Sequence, residues 1–77
     1  MDANQLLTTA KNELKQLNSG DIFIVRDLFK GYEWNREAKT DRLTLGTLFL
    51  SYAKTVPLEL EVIQRKTSSN QQKYKKL

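Results

Sequence analysis

The chain has 77 residues and a net charge of +4, and it contains neither cysteine nor histidine. This length allows one domain with a modest core, near the lower limit of what folds without cross-links. The lack of cysteine excludes disulfides and thiolate metal sites, and it disfavours a small secreted scaffold because such scaffolds are usually rich in disulfides. We therefore expect a single cytoplasmic domain, residues 1–77, that holds no metal or other cofactor.

The composition also disfavours catalysis and membrane association. Histidine is the usual general base, and a core this small leaves little room for a substrate cavity. Residues 1–17 mix leucines with polar and charged side chains, so they lack the unbroken apolar run of a signal peptide or a membrane span. We expect a protein that is not an enzyme and that does not contact a membrane.

The positive charge is concentrated at the C-terminal end. Residues 1–64 carry eight basic and nine acidic side chains, whereas every charged side chain after residue 64 is basic. These five cations are Arg65, Lys66, Lys73, Lys75 and Lys76. Such asymmetry indicates a polyanionic partner, although a basic tail that only maintains solubility is an alternative.

The first predicted element is an amphipathic helix. It starts at Asp2, which can cap it, and it stops at residues 18–20, Asn-Ser-Gly, which tolerate the left-handed conformation. Its apolar stripe comprises Leu6, Leu7, Ala10, Leu14 and Leu17.

A short strand follows over residues 22–25, Ile-Phe-Ile-Val, because β-branched and aromatic residues favour extended backbone. Residues 26–30 then predict a short helix that ends at Gly31. An aromatic connection spans residues 32–35, in which Trp34 is expected to fill the core.

The longest predicted helix runs from a cap at Thr40 or Asp41 to about Lys54, and Pro57 prevents its continuation much beyond Val56. Its core side comprises Leu45, Leu48, Phe49 and Tyr52. The opposite side is a narrow stripe of small hydroxyls that ends in a cation: Thr40, Thr44, Thr47, Ser51 and Lys54.

A third flank of this helix carries Leu43, Gly46 and Leu50, so the helix must contact more than one other element. Glycine in mid-helix costs about 1 kcal/mol relative to alanine. We expect that Gly46 permits the close approach of another helix, and that a larger side chain there would overpack the contact.

The C-terminal segment predicts a β-hairpin. Leu58, Leu60 and Val62 alternate with glutamates, which is typical of a half-buried strand, and residues 73–77 can return as a second strand through Tyr74. Residues 67–72 are polar and form the tip. The hairpin therefore carries the basic cluster on and around its tip.

The order of helix, short strand, two helices and C-terminal hairpin predicts an α+β fold of winged-helix type. In that arrangement the lone strand pairs with the hairpin, which forms the wing, and a three-stranded sheet covers one end of a three-helix core. A plain α+β domain with the hairpin packed elsewhere is the alternative.

Several segments also resemble a known family. They are Gly20-Asp21-Ile22-Phe23-Ile24-Val25-Arg26-Asp27-Leu28-Phe29, Glu33-Trp34-Asn35 and Arg42-Leu43-Thr44-Leu45-Gly46-Thr47-Leu48-Phe49. Over residues 13–77 the chain resembles a family of uncharacterised short proteins from Gram-positive bacteria and their phages and plasmids. The Leu-Gly-x-x-Phe core also looks like the third helix of winged-helix proteins. The resemblance implies a fold and an origin, but no catalytic residues.

The predicted function is binding of double-stranded DNA, as a regulator of transcription or of a mobile element. The third helix would lie in the major groove and the wing would follow the phosphates. The predicted contacts are Thr40, Arg42, Thr44, Thr47, Ser51, Lys54, Arg65, Lys66, Lys73, Lys75 and Lys76.

Two other functions stay open at this point. A protein-interaction module of the same shape could dock a partner, or a second copy in a homodimer, through an apolar helix flank such as Leu43 and Leu50. A binder of single-stranded nucleic acid is a weaker alternative, because the aromatic residues that it would need are expected to be buried.

Overall fold

Along the chain, one helix and a short strand are followed by two helices and then by two strands. The computed structural model describes residues 2–66 and 71–77, the side chains of residues 64–66 excepted. The helices are α1 (Ala3–Glu13), α2 (Gly31–Arg36) and α3 (Lys39–Thr55), and the strands are β1 (Ile22–Phe23), β2 (Leu60–Lys66) and β3 (Gln72–Lys76). The predicted α+β class is confirmed. Within the described residues, no helix is long and apolar enough to cross a bilayer.

Helix α1 begins as its sequence predicts. The Asp2 carboxylate accepts the Gln5 backbone N–H at 2.8 Å, and the Gln5 side chain accepts the Asp2 backbone N–H at 3.0 Å. This reciprocal pair satisfies two backbone donors at the helix start. Leu6 and Ala10 are buried on the predicted stripe.

The three strands form one antiparallel sheet in the order β1-β3-β2, so that β3 is central. Phe23, Tyr74 and Val62 lie side by side across the three strands, and Ile22, Lys75 and Glu61 form the adjacent row. Because side chains alternate along a strand, the first row faces the core and the second row faces outward. The predicted pairing of the short strand with the hairpin is therefore confirmed.

An aromatic triad of Phe23, Phe49 and Tyr74 joins this sheet to α3. The Tyr74 ring centroid lies 5.7 Å from that of Phe23 and 4.9 Å from that of Phe49, and the latter pair meets edge to face. All three side chains are buried. Edge-to-face and offset contacts of this kind add to the free energy gained by burial alone.

The predicted boundaries of the elements within residues 22–36 are wrong. Strand β1 ends at Phe23, because the Asp27 carboxylate accepts the Ile24 N–H at 3.1 Å and closes a 3₁₀ turn over Val25–Leu28. Helix α2 then starts at Gly31, where the prediction ended a helix. The Arg36 guanidinium lies 5.1 Å from the Tyr32 ring centroid, one helical turn away, which favours helix in this short segment.

The boundaries of α3 and the hairpin also differ from the prediction. Helix α3 begins at Lys39 and its N-cap is Ala38, so neither Thr40 nor Asp41 caps it. It ends at Thr55, before Pro57, as predicted. Strand β2 starts two residues later than expected, because a turn over Val56–Glu59 precedes it and leaves Leu58 91% exposed.

The explanation expected for Gly46 is wrong. A Cβ atom added there would meet no heavy atom within 4 Å beyond its own helix backbone. Helix α1 packs on another part of α3, where the Lys11 ammonium lies 4.6 Å from the Tyr52 ring centroid. Gly46 therefore faces open space.

We predict that Gly46→Ala raises the free energy of unfolding by about 0.5–1 kcal/mol, because alanine favours helix and nothing blocks its methyl group. Gly20→Ala is the matched control. Gly20 has φ = 96°, so alanine there should lower stability by about 1 kcal/mol. Thermal or urea unfolding measures both changes, and a destabilised Gly46→Ala variant would contradict the open surface.

The aromatic triad should make stability depend on alkaline pH. Burial raises the pKa of Tyr74 from 10.0 to about 12. The unfolded chain therefore loses this proton first as the pH rises, and the stability due to the neutral hydroxyl is complete below pH 10 and lost between pH 10 and 12. We expect the wild type to lose about 2 kcal/mol more than Tyr74→Phe across this window, measured by urea unfolding. Equal losses would show that the hydroxyl is not desolvated.

Candidate nucleic-acid interface

The predicted hydroxyl stripe lies on the solvent side of α3. Its members are all exposed: Thr40, Thr44, Thr47, Ser51 and Lys54. Leu45, Phe49 and Ala53 are buried on the other side of the helix, which fixes its rotation. The Thr47 hydroxyl donates a long hydrogen bond of 3.5 Å to the Leu43 carbonyl oxygen, a weak contact that a ligand could replace.

Arg42 is separated from this stripe. Its side chain is half-buried, and its guanidinium lies 5.8 Å from the Trp34 ring centroid. The Nε atom of Arg42 is buried and has no hydrogen-bond partner among the described residues. The cation predicted for the start of the recognition helix is therefore directed toward α2.

The hairpin cations are also divided between two faces of the sheet. Lys75 belongs to the outward row, and Lys73 shares that face because it lies two residues away. Lys76 faces the other way and donates a hydrogen bond to the Leu14 carbonyl at the end of α1. Lys76 is thus held against α1, whereas Lys73 and Lys75 remain on the outer face.

The remaining predicted cations belong to the first strand of the hairpin. Arg65 and Lys66 are the last two residues of β2, and Lys66 pairs with Gln72 after an irregularity in the register. Their side chains lie outside the described part of the chain, as do residues 67–70 of the predicted tip, whereas Gln72 belongs to β3.

A groove of about 630 Å³ separates α3 from the start of β3. Its apolar lining comes from α3, α2, the 3₁₀ turn and β3: Leu43, Gly46, Leu50, Trp34, Val25 and Tyr74. Its polar lining comprises Arg26, Lys39, Arg42, Thr47, Gln71 and Gln72. The third flank of α3 and one residue of the hydroxyl stripe, Thr47, therefore meet at this groove.

The groove has a positive electrostatic character. Three of its lining side chains, Arg26, Lys39 and Arg42, are cationic, and among the described residues that line it none is acidic. Trp34 forms part of the wall and packs on Phe29, with ring centroids 5.4 Å apart. Trp34 is half-buried and lies outside the hydrophobic core, so the expectation that it fills the core is wrong.

Sequence reasoning did not find this groove, because its residues come from four segments separated along the chain. The one available indication was Gly46 between two leucines on the third flank of α3. A missing side chain in mid-helix is compatible with a close helix contact and with an open cavity, and only the packing of the neighbouring elements distinguishes the two.

Comparison with known proteins gives one match. Residues 8–76 match the family described as domain of unknown function (DUF1413). No curated protein sequence and no solved structure matches the chain. Because the match spans nearly the whole chain, the resemblance to an uncharacterised family is confirmed, and the protein belongs to the DUF1413 family.

Proposed function

We propose that this protein binds double-stranded DNA as a winged-helix module, with α3 in the major groove and the hairpin along the phosphates. The observation that carries the proposal is the exposed polar stripe of α3, on the side of the helix opposite its buried residues. A helix that enters the major groove must present such a free polar face to the base edges.

The order of the elements supports this arrangement. One helix, a short strand, two helices and a hairpin follow one another, and the short strand pairs with the second strand of the hairpin. Helix α3 contacts both α1 and β2. The hairpin is thus attached to the same helix that carries the hydroxyl stripe, as a wing beside a recognition helix would be.

The chemistry of the stripe suits contact with both bases and phosphates. Threonine and serine hydroxyls donate to phosphate oxygens or bond base edges, and a threonine methyl can contact the methyl group of thymine. Lys54, at the C-terminal end of the stripe, and Lys73, on the hairpin, add charge that attracts phosphates. Small side chains also allow the backbone of α3 to approach the base edges in the DNA major groove closely.

The role that follows is regulation of transcription or of a mobile element in a bacterial cytoplasm. A cysteine-free chain suits a reducing compartment, and the basic C-terminal segment suits a polyanionic target. Arg65, Lys66 and Lys75 would join Lys73 in contacting phosphates on the wing.

A second candidate is a protein-interaction module. Leu43 is 65% exposed and lies beside the groove with Leu50, so a partner protein or a second copy of the chain could bury it. This function needs no DNA contact, and the experiment below separates it from the first.

We predict that the protein binds a labelled random DNA duplex with an affinity that falls steeply between about 50 and about 200 mM salt, as measured by fluorescence anisotropy. Lys73→Gln should weaken binding to all sequences alike and reduce the slope of log affinity against log salt by about one, because one phosphate contact is lost.

Lys15→Gln is the matched control, since it removes the same charge from an exposed residue that follows α1 and is not among the predicted DNA contacts. Affinity and slope should stay close to those of the wild type. Equal effects of the two variants would show that DNA binding depends only on the net charge of the protein and not on the position of Lys73. Absence of binding even at low salt would overturn the DNA proposal and favour a protein partner at Leu43 and Leu50.

A further inference from the structure

We propose that the groove between α3 and the start of β3 binds a small organic anion, a carboxylate attached to an apolar aryl body. This inference goes beyond DNA binding and does not depend on it. It rests on the shape of the groove, on its charge and on the unsatisfied Nε atom of Arg42.

The shape of the groove suits a small molecule. Its volume of about 630 Å³ falls within the range of known ligand pockets. Gly46 leaves space beside α3, because no heavy atom beyond its own helix backbone lies within 4 Å of where a Cβ would be. Trp34, Leu43 and Leu50 provide apolar surface that an aryl body would cover. Without such a body, an inorganic anion would leave this surface in contact with water.

The charge of the groove selects an anion. Arg26, Lys39 and Arg42 contribute three cations, and no described residue of the lining carries a carboxylate that would neutralise them. Apolar walls lower the local dielectric constant, so a negative charge is attracted more strongly there than on an open surface. A neutral or cationic ligand of the same shape gains nothing from this field.

Arg42 supplies the specific contact. Its guanidinium lies over the Trp34 ring and its Nε–H donor is buried without an acceptor among the described residues. A buried donor without a partner is unfavourable, and the Nε–H and Nη–H of a guanidinium together match the two oxygens of a carboxylate. A rotation of the side chain within the groove would present this pair of donors to the ligand.

The test uses Trp34, which is the only tryptophan in the chain and lies in the groove wall. The probes are 3-phenylpropanoate, 3-phenylpropan-1-ol and 3-phenylpropylammonium, which share one body and differ in charge. We expect saturable quenching or shift of the Trp34 emission by the carboxylate, with at least about tenfold weaker binding of the other two. In parallel, the NMR signal of the Arg42 Nε–H should move downfield on addition of the carboxylate.

Three variants make the test specific. Arg42→Gln should weaken carboxylate binding at least about tenfold, because it removes the forked donor. Gly46→Leu should abolish binding by filling the space beside α3, and a thermal melt reports whether it folds. Lys15→Gln, which removes a cation from an exposed residue outside the groove lining, should bind as the wild type does.

Equal affinity for the three probes, unchanged affinity in Arg42→Gln, or no saturable response to the carboxylate would each overturn the proposal. No DNA is present in the assay. Its result is therefore independent of the duplex titration, and either proposal can fail while the other stands.

Discussion

The side chain of Tyr74 joins the sheet of this small chain to its helices. It lies in the central strand β3, and its ring packs on Phe23 of β1 and on Phe49 of α3. A chain of 77 residues without cysteine has few other sources of stability, so a large buried aromatic contributes a considerable share. Because Tyr74 fixes β3 against α3, it also determines where the hairpin lies relative to the exposed face of that helix. Both proposals depend on this placement.

Helix α3 faces three different environments around its circumference. Leu45 and Phe49 face the core, and Thr44 and Ser51 face solvent. The third flank, with Gly46, opens into the groove. A helix that is apolar over much of its surface is normally buried by neighbours on several sides. Here the flank that carries Gly46 stays partly exposed. The cations beside it distinguish this groove from a packing defect lined only by apolar side chains. The same helix therefore offers one surface suited to a polyanion and another suited to a small amphipathic anion.

Local patterns in the sequence predicted most of the architecture. The cap at Asp2 and the alternation of Leu60 and Val62 depend only on neighbouring residues, and both appear as expected, although β2 does not include Leu58. The position of α2 could not be predicted, because it depends on a carboxylate that closes a turn at Asp27 and on packing of Trp34 against Phe29. The groove could not be predicted from the sequence at all. Gly46 has the same sequence pattern whether a helix or open space lies beside it, and only the position of the other elements decides between them.

The most direct measurement of the central claim is an NMR titration of the labelled protein with a DNA duplex at low salt. The account predicts that backbone amide shifts concentrate on the exposed side of α3, around Thr44 and Ser51, and on Lys73 of the hairpin. The exposed side of α1, around Thr8, should stay unchanged. Shifts confined to α1, or the absence of any shift at saturating duplex, would contradict the assignment of α3 and the hairpin as a DNA-binding surface.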